Sequence, residues 1–138
     1  MKRLLGIDFG LKRCGLAITD DFNIISSGLM SIESKRLIDV LKQIILDKNI
    51  GVIVLGLPKR LNNEDSHITQ NVIILSEVLK KEFSSVEIVL YDERFTSKMA
   101  VDALYMSGLK KIKRKDKSLI DEVSATIILQ SYMQSKGM

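Results

Sequence analysis

The sequence predicts an α/β domain on a mixed five-stranded sheet, three antiparallel strands and then parallel ones, flanked by helices. Three observations carry this. The first 32 residues alternate strand-like runs with short polar turns. Val52-Ile53-Val54-Leu55-Gly56 is continuously apolar and β-branched, the mark of a strand buried on both faces and parallel to a neighbour. Apolar residues recur at helical spacing between the later strands.

Arg3 to Phe9 reads as the first strand, Gly10 to Arg13 as a turn, and Gly15 to Thr19 as the second strand. Asp20-Asp21-Phe22-Asn23 is a second turn and Ile24 to Ile32 a third strand. Connections this short imply an antiparallel meander. Ser34 offers a helix N-cap before Leu37, Ile38, Leu41, Ile44 and Ile45. After the Val52–Gly56 strand a loop runs from Leu57 to about Ser66. Val72, Ile73, Leu75, Val78 and Leu79 mark a second helix, and Val86 to Leu90 another buried strand. Thr96 or Ser97 then caps a helix to about Met106, Gly108 to Lys117 forms a basic loop, and Ser118 caps a last helix to about Gln134. The order βββ-α-β-α-β-α-α is that of the RNase H-like fold, and also of one lobe of the actin-like kinases.

The chain's 138 residues fit one domain, 1–138. Hydrophobic residues make up 46% and charged residues 28%, so a sizeable core is possible. The net charge of +4 and pI near 9.2 mildly favour phosphate contacts. Nothing at the N-terminus reads as a signal peptide, and no apolar run reaches the roughly 20 residues of a membrane helix. With one Cys and no disulfide possible within the chain, the expected home is the cytoplasm. One Cys and one His nearly exclude a His/Cys zinc site. Cys14 reads as strand packing and His67 as an exposed residue near a helix start, so nucleophilic catalysis by that pair is not expected.

Three acids stand out. Asp8 lies inside an apolar strand, where alternation puts Leu5, Ile7 and Phe9 on one face and Leu4, Gly6 and Asp8 on the other. A charge there is costly unless paired, hydrogen-bonded or metal-bound; the alternative is a strand-end Asp bonded to the following turn. Glu93, in Tyr91-Asp92-Glu93-Arg94, lies past the C-terminal end of a central parallel strand, the edge where α/β sheets build sites. It also reads as a solvated loop acid beside Arg94. Asp121 sits in the first turn of the last helix, where Ser118 and Asp121 resemble a capping box and an acid suits the helix dipole. If the first strand is central and the last helix packs across the sheet, the three carboxylates converge at one edge. Such a cluster repels itself and is stable mainly around hard cations, Mg²⁺ or Mn²⁺. Two such ions about 4 Å apart can activate water and stabilise the leaving oxygen in phosphodiester cleavage.

Four blocks resemble the YqgF/RuvX family of pre-16S rRNA nucleases and Holliday-junction-resolvase-like proteins. They are Gly6-Ile7-Asp8-Phe9-Gly10-Leu11-Lys12-Arg13-Cys14-Gly15-Leu16-Ala17, Val54-Leu55-Gly56-Leu57-Pro58, Asp92-Glu93-Arg94-Phe95-Thr96-Ser97, and Asp121 through Tyr132. They come in family order and span almost the whole chain. The resemblance implies an RNase H-like fold, a metal-dependent nuclease, and catalytic, metal-holding acids at Asp8, Glu93 and Asp121. It also implies maturation of the 5′ end of 16S rRNA in the bacterial cytoplasm. The chain departs from the pattern at Asn62-Asn63, where an Asp-Gly turn is common, and at Cys14, where a branched apolar residue is common. The fourth carboxylate of junction resolvases has no counterpart at Ser118 or Ser124, and neither Glu122 nor Asp92 is assigned to its place.

The candidate substrate contacts are basic. Lys12 and Arg13 follow Asp8, Lys59 and Arg60 follow a central strand, and Arg94 follows Glu93. Lys113 and Arg114 belong to the densest charge block, 108–117, which precedes Asp121 and would clamp nucleic acid without sequence preference. The expected partner is nucleic acid, pre-rRNA first and branched DNA second, with the protein a monomer or weak homodimer. Two other functions fit parts of the sequence. Gly6-Ile7-Asp8-Phe9-Gly10 also resembles the first phosphate motif of actin-like phosphotransferases, but those need two such lobes. A non-catalytic RNA-binding ribosome-assembly module would keep the basic loop and tolerate Asp8→Asn.

Overall fold

The computed structural model describes residues 2–58, 68–92 and 117–138. Five strands form one sheet: β1 (Arg3–Phe9), β2 (Arg13–Thr19), β3 (Ser26–Glu33), β4 (Ile50–Leu57) and β5 (Glu87–Asp92), in the order β3-β2-β1-β4-β5. β1 pairs antiparallel with β2 and β2 with β3, whereas β1–β4 and β4–β5 are parallel. The expected meander, central first strand and buried parallel run are all present. Three helices are described: α1 (Leu37–Lys48), α2 (Thr69–Glu82) and α3 (Lys117–Ser135). The expected helix over 96–106 and most of the loops 57–66 and 108–117 lie outside the described residues, as does His67.

Strand alternation sorts the core into two layers. Leu5, Ile7, Leu16, Ile53 and Leu55 face Leu37 and Leu41 of α1 and Val72 and Leu79 of α2. Leu4, Ala17 and Val54 face Ala125, Ile128, Leu129, Tyr132 and Met133 of α3. The α3 layer is finished by Tyr91, whose ring meets Tyr132 edge-on at 6.0 Å between centroids. Ser26 ties the edge strand to the same helix: its Oγ donates to the Thr126 carbonyl (3.0 Å), and its amide donates to Gln130 Oε1 (3.2 Å).

Several local expectations are corrected. The strand expected buried over 86–90 is the partly exposed edge strand β5, and α3 is helical from Lys117, so Ser118 lies within it and Asp121 falls past its first turn. Ser34 does not cap α1. It opens a 3₁₀ turn, Ser34–Arg36, and the N-cap of α1 is Arg36 with no side-chain cap bond. The Ser34 hydroxyl instead donates to the Gly10 carbonyl (2.5 Å), and its amide donates to the Lys12 carbonyl (2.9 Å), clasping the β1–β2 turn. The third strand starts at Ser26 rather than Ile24. Asp20 Oδ1 accepts the amides of Ile24 (2.7 Å) and Ile25 (2.9 Å), holding both in the turn.

Candidate active site

The site grows from one row across the sheet. Asp8 on β1 pairs with Gly15 on β2, and Gly15 pairs with Ser31 on β3. A second row, Gly6–Ala17–Gly28, runs beside it. A register shift in the β2–β3 pairing between Leu16 and Ala17 lets Gly28 and Ser31, three residues apart, both face α3. Leu29 and Met30, between them, pack into the opposite core.

The small residues admit α3 to near contact with the backbone of the sheet. A Cβ on Gly15 would lie 1.9 Å from the Asp121 carbonyl oxygen, and one on Gly6 would lie 2.8 Å from Leu129 Cβ. No side chain other than hydrogen fits at Gly15 without moving the helix. That approach places Asp121 above Gly15, between Asp8 and Ser31.

Asp121 looks into the sheet. Its Oδ2 lies 3.2 Å from Arg13 Nε and accepts a hydrogen bond from Ser31 Oγ at 3.4 Å. The alternative of a carboxylate serving its own helix end does not account for these two contacts. Asp8 is partly buried, and its carboxyl is pushed up from 3.8 to about 7, first by desolvation and then by the charge of Asp121. The same two acids, with burial foremost, also push the Cys14 thiol up. Cys14 is fully buried, its Sγ 3.3 Å from Ser34 Oγ, consistent with strand packing. A cleft of about 320 Å³, lined by Gly10, Lys12, Arg13 and Asp121, opens beside the acids.

Of the residues singled out by sequence, Asp8, Asp121, Lys12 and Arg13 therefore share one edge of the sheet. Glu93, Arg94, Lys59, Arg60, Lys113 and Arg114 lie outside the described residues. The chain reaches Asp92 at the end of β5, paired with Leu57, one residue before Glu93. Glu122 packs beside Gly28 over β3. Sequence reasoning missed Ser31, Ser34 and Gly15. Gly15 carried a signal, a glycine in a predicted strand marking close backbone approach; Ser31 carried none, because the register shift hides its face.

The donor set suits a divalent cation. The Asp8 and Asp121 carboxyls are hard oxygen donors close enough to interact electrostatically, and burial together with the Asp121 charge holds the Asp8 proton up to about 7. Among the described residues, no group of three His, Cys, Asp or Glu is placed to hold a metal ion.

Comparison with known proteins gives a consistent picture. The family model described as "RuvX: Holliday junction resolvase" matches residues 2–135. A protein of Phocaeicola vulgatus named "Putative pre-16S rRNA nuclease" is 41% identical over 136 residues, covering 99% of this chain and 98% of its own. A Porphyromonas gingivalis protein of the same name is 44% identical over 135 residues, covering 98% of each. The fowlpox virus resolvase, solved with Holliday junction DNA, superposes with a TM-score of 0.61 at 17% identity, over 97% of this chain and 98% of that one. Thermus thermophilus RuvC with a Holliday junction substrate gives 0.56 at 16% identity, over 99% and 97%. The fold is thus the RNase H-like fold of these resolvases.

Proposed function

The chain belongs to the RuvX family, and from that premise we propose that it is a metal-dependent nuclease hydrolysing phosphodiester bonds, with the 5′ end of pre-16S rRNA as its target. The observation that carries the reading is the convergence of Asp8 and Asp121 over Gly15. Two acids from distant parts of the chain are brought together where burial, and then the charge of Asp121, raise the pKa of Asp8. Perturbed acids paired in this way beside an open cleft are what functional sites assemble.

Asp8, Asp121 and Glu93 would hold Mg²⁺ or Mn²⁺, which when bound would supply an activated water and charge stabilisation at the phosphate. Asp8 must lose its proton before it can serve as a ligand. Ser31 orients the Asp121 carboxylate through Oδ2. Lys12, exposed on the clasped turn, reaches a phosphate in the adjoining cleft. Lys59, Arg60, Arg94, Lys113 and Arg114 extend the basic surface. The enzyme acts as a single domain, monomeric or weakly dimeric, in the cytoplasm. Among the described residues, no helix is long and apolar enough to cross a membrane.

A second substrate, branched DNA, is favoured by the family description and by two structural neighbours solved with Holliday junctions. Both substrates belong in one test: a pre-16S rRNA fragment and a four-way DNA junction, each with Mn²⁺ and with chelator. Cleavage of either is expected only with metal. Asp8→Asn, Glu93→Gln and Asp121→Asn should each abolish cleavage and spare binding. Losing several kcal/mol of charge stabilisation corresponds to roughly a thousandfold drop in rate. Cleavage retained by two of the three variants would remove the mechanism.

A further inference from the structure

Arg13 is bound to the acid that the proposed chemistry needs. Its Nε lies 3.2 Å from Asp121 Oδ2, the oxygen that also accepts the Ser31 hydroxyl. The backbone around it is fixed. Arg13 opens β2 opposite Glu33, and Ser34 clasps the preceding turn at both Gly10 and Lys12. The side chain itself is about one-third exposed and lines the open cleft with Lys12. The guanidinium thus sits on a fixed backbone at the border of an open cleft.

We propose that Arg13 is an internal counter-cation of Asp121 that yields its place when a divalent ion binds and then grips a substrate phosphate. Metal and nucleic acid thereby strengthen each other's binding. This rests on the nuclease reading above. The physical reason is competition between like charges. A divalent ion between Asp8 and Asp121 draws on the same carboxylate as the guanidinium and repels it at close range. The guanidinium fork matches a phosphate as well as it matches a carboxylate, so the released side chain finds an equivalent anion on the substrate. Linkage then requires that substrate favour metal by the same factor that metal favours substrate.

The test is calorimetric titration of Mn²⁺ at pH 8, without nucleic acid, into the wild type and Arg13→Gln. The variant is expected to bind Mn²⁺ more tightly, by roughly fivefold or more. Equal or weaker binding overturns the proposal, because an arginine that merely orients Asp121 would lower affinity when lost. Affinity for a labelled four-way DNA junction, with Ca²⁺ and with chelator, gives the second arm. Ca²⁺ should strengthen the wild-type complex several-fold more than the complex of Arg13→Gln or of Arg13→Ala, the second variant keeping this arm in place if the first does not fold. Arg13→Lys, which keeps the charge, should retain part of the enhancement; full Ca²⁺ enhancement in Arg13→Gln or Arg13→Ala overturns the proposal. Wild-type Mn²⁺ binding that is absent, or unchanged by Asp121→Asn, overturns the nuclease reading and this proposal together.

Discussion

On one face of the sheet, Leu5, Ile7, Leu16, Ile53 and Leu55 meet two helices through large side chains. On the other face of the same strands Leu4 and Val54 pack a smaller core against α3, but beside it Gly6, Asp8, Gly15, Ala17 and Gly28 meet that helix with little side chain between. Large side chains set layers about 10 Å apart and make a core that tolerates repacking. Small ones bring helix backbone onto strand backbone, and that proximity holds two carboxylates together. The first face stabilises the molecule, and the second places its chemistry.

The comparison breaks most sharply at Gly15. A Cβ there would meet the Asp121 carbonyl oxygen at 1.9 Å. Gly15→Ala must displace α3, so upwards of about 3 kcal/mol of stability and nearly all cleavage should be lost together. Thermal melting and a cleavage assay on the folded fraction measure both. On the opposite face, Leu5→Ala should cost about 2–5 kcal/mol while the folded fraction cleaves at the wild-type rate. Equal loss of specific activity in the two variants would mean that the faces do not divide the work in this way.

A pH titration sharpens the contrast. Asp8 holds its proton up to about 7 when folded, against 3.8 ordinarily. Between these values the unfolded chain has released the proton and the folded chain has not. The metal-free protein should therefore lose stability as pH rises from about 4 to about 7, with no further Asp8 contribution above that. At 1.36 kcal/mol per unit the change is about 4 kcal/mol. Asp8→Asn should flatten this slope in denaturant melts, and a slope unchanged in Asp8→Asn would assign it to other groups. The smallest effect is expected from Ser31→Ala. Losing one 3.4 Å bond to Asp121 should cost less than about 1 kcal/mol of stability and lower cleavage a few-fold. A wild-type rate would show that Ser31 does not orient the acid.

Much of the first face was legible in sequence. Alternation along Leu4–Phe9 separates Leu5 and Ile7 from Gly6 and Asp8, and the Val52–Gly56 run announces a strand buried on both sides. The second face was only partly legible. Asp121 looks like a capping residue because local spacing says nothing of what lies across the sheet. Its partners Arg13 and Ser31 come from two other strands, and the register shift in the β2–β3 pairing puts Ser31 out of phase with simple alternation. Ser34 carried a true hydrogen-bonding signal but spends it on the Gly10 carbonyl instead of a helix amide. Sequence pattern reports periodic burial well and reports contacts between distant segments poorly, and the site is made of the latter.

The most direct measurement is a crystal soaked in Mn²⁺ and recorded at the manganese absorption edge. The account predicts an anomalous peak bridging the carboxylates of Asp8 and Asp121, within about 2.3 Å of an oxygen from each. Well-ordered carboxylates with no peak between them, or manganese bound only elsewhere, would contradict it.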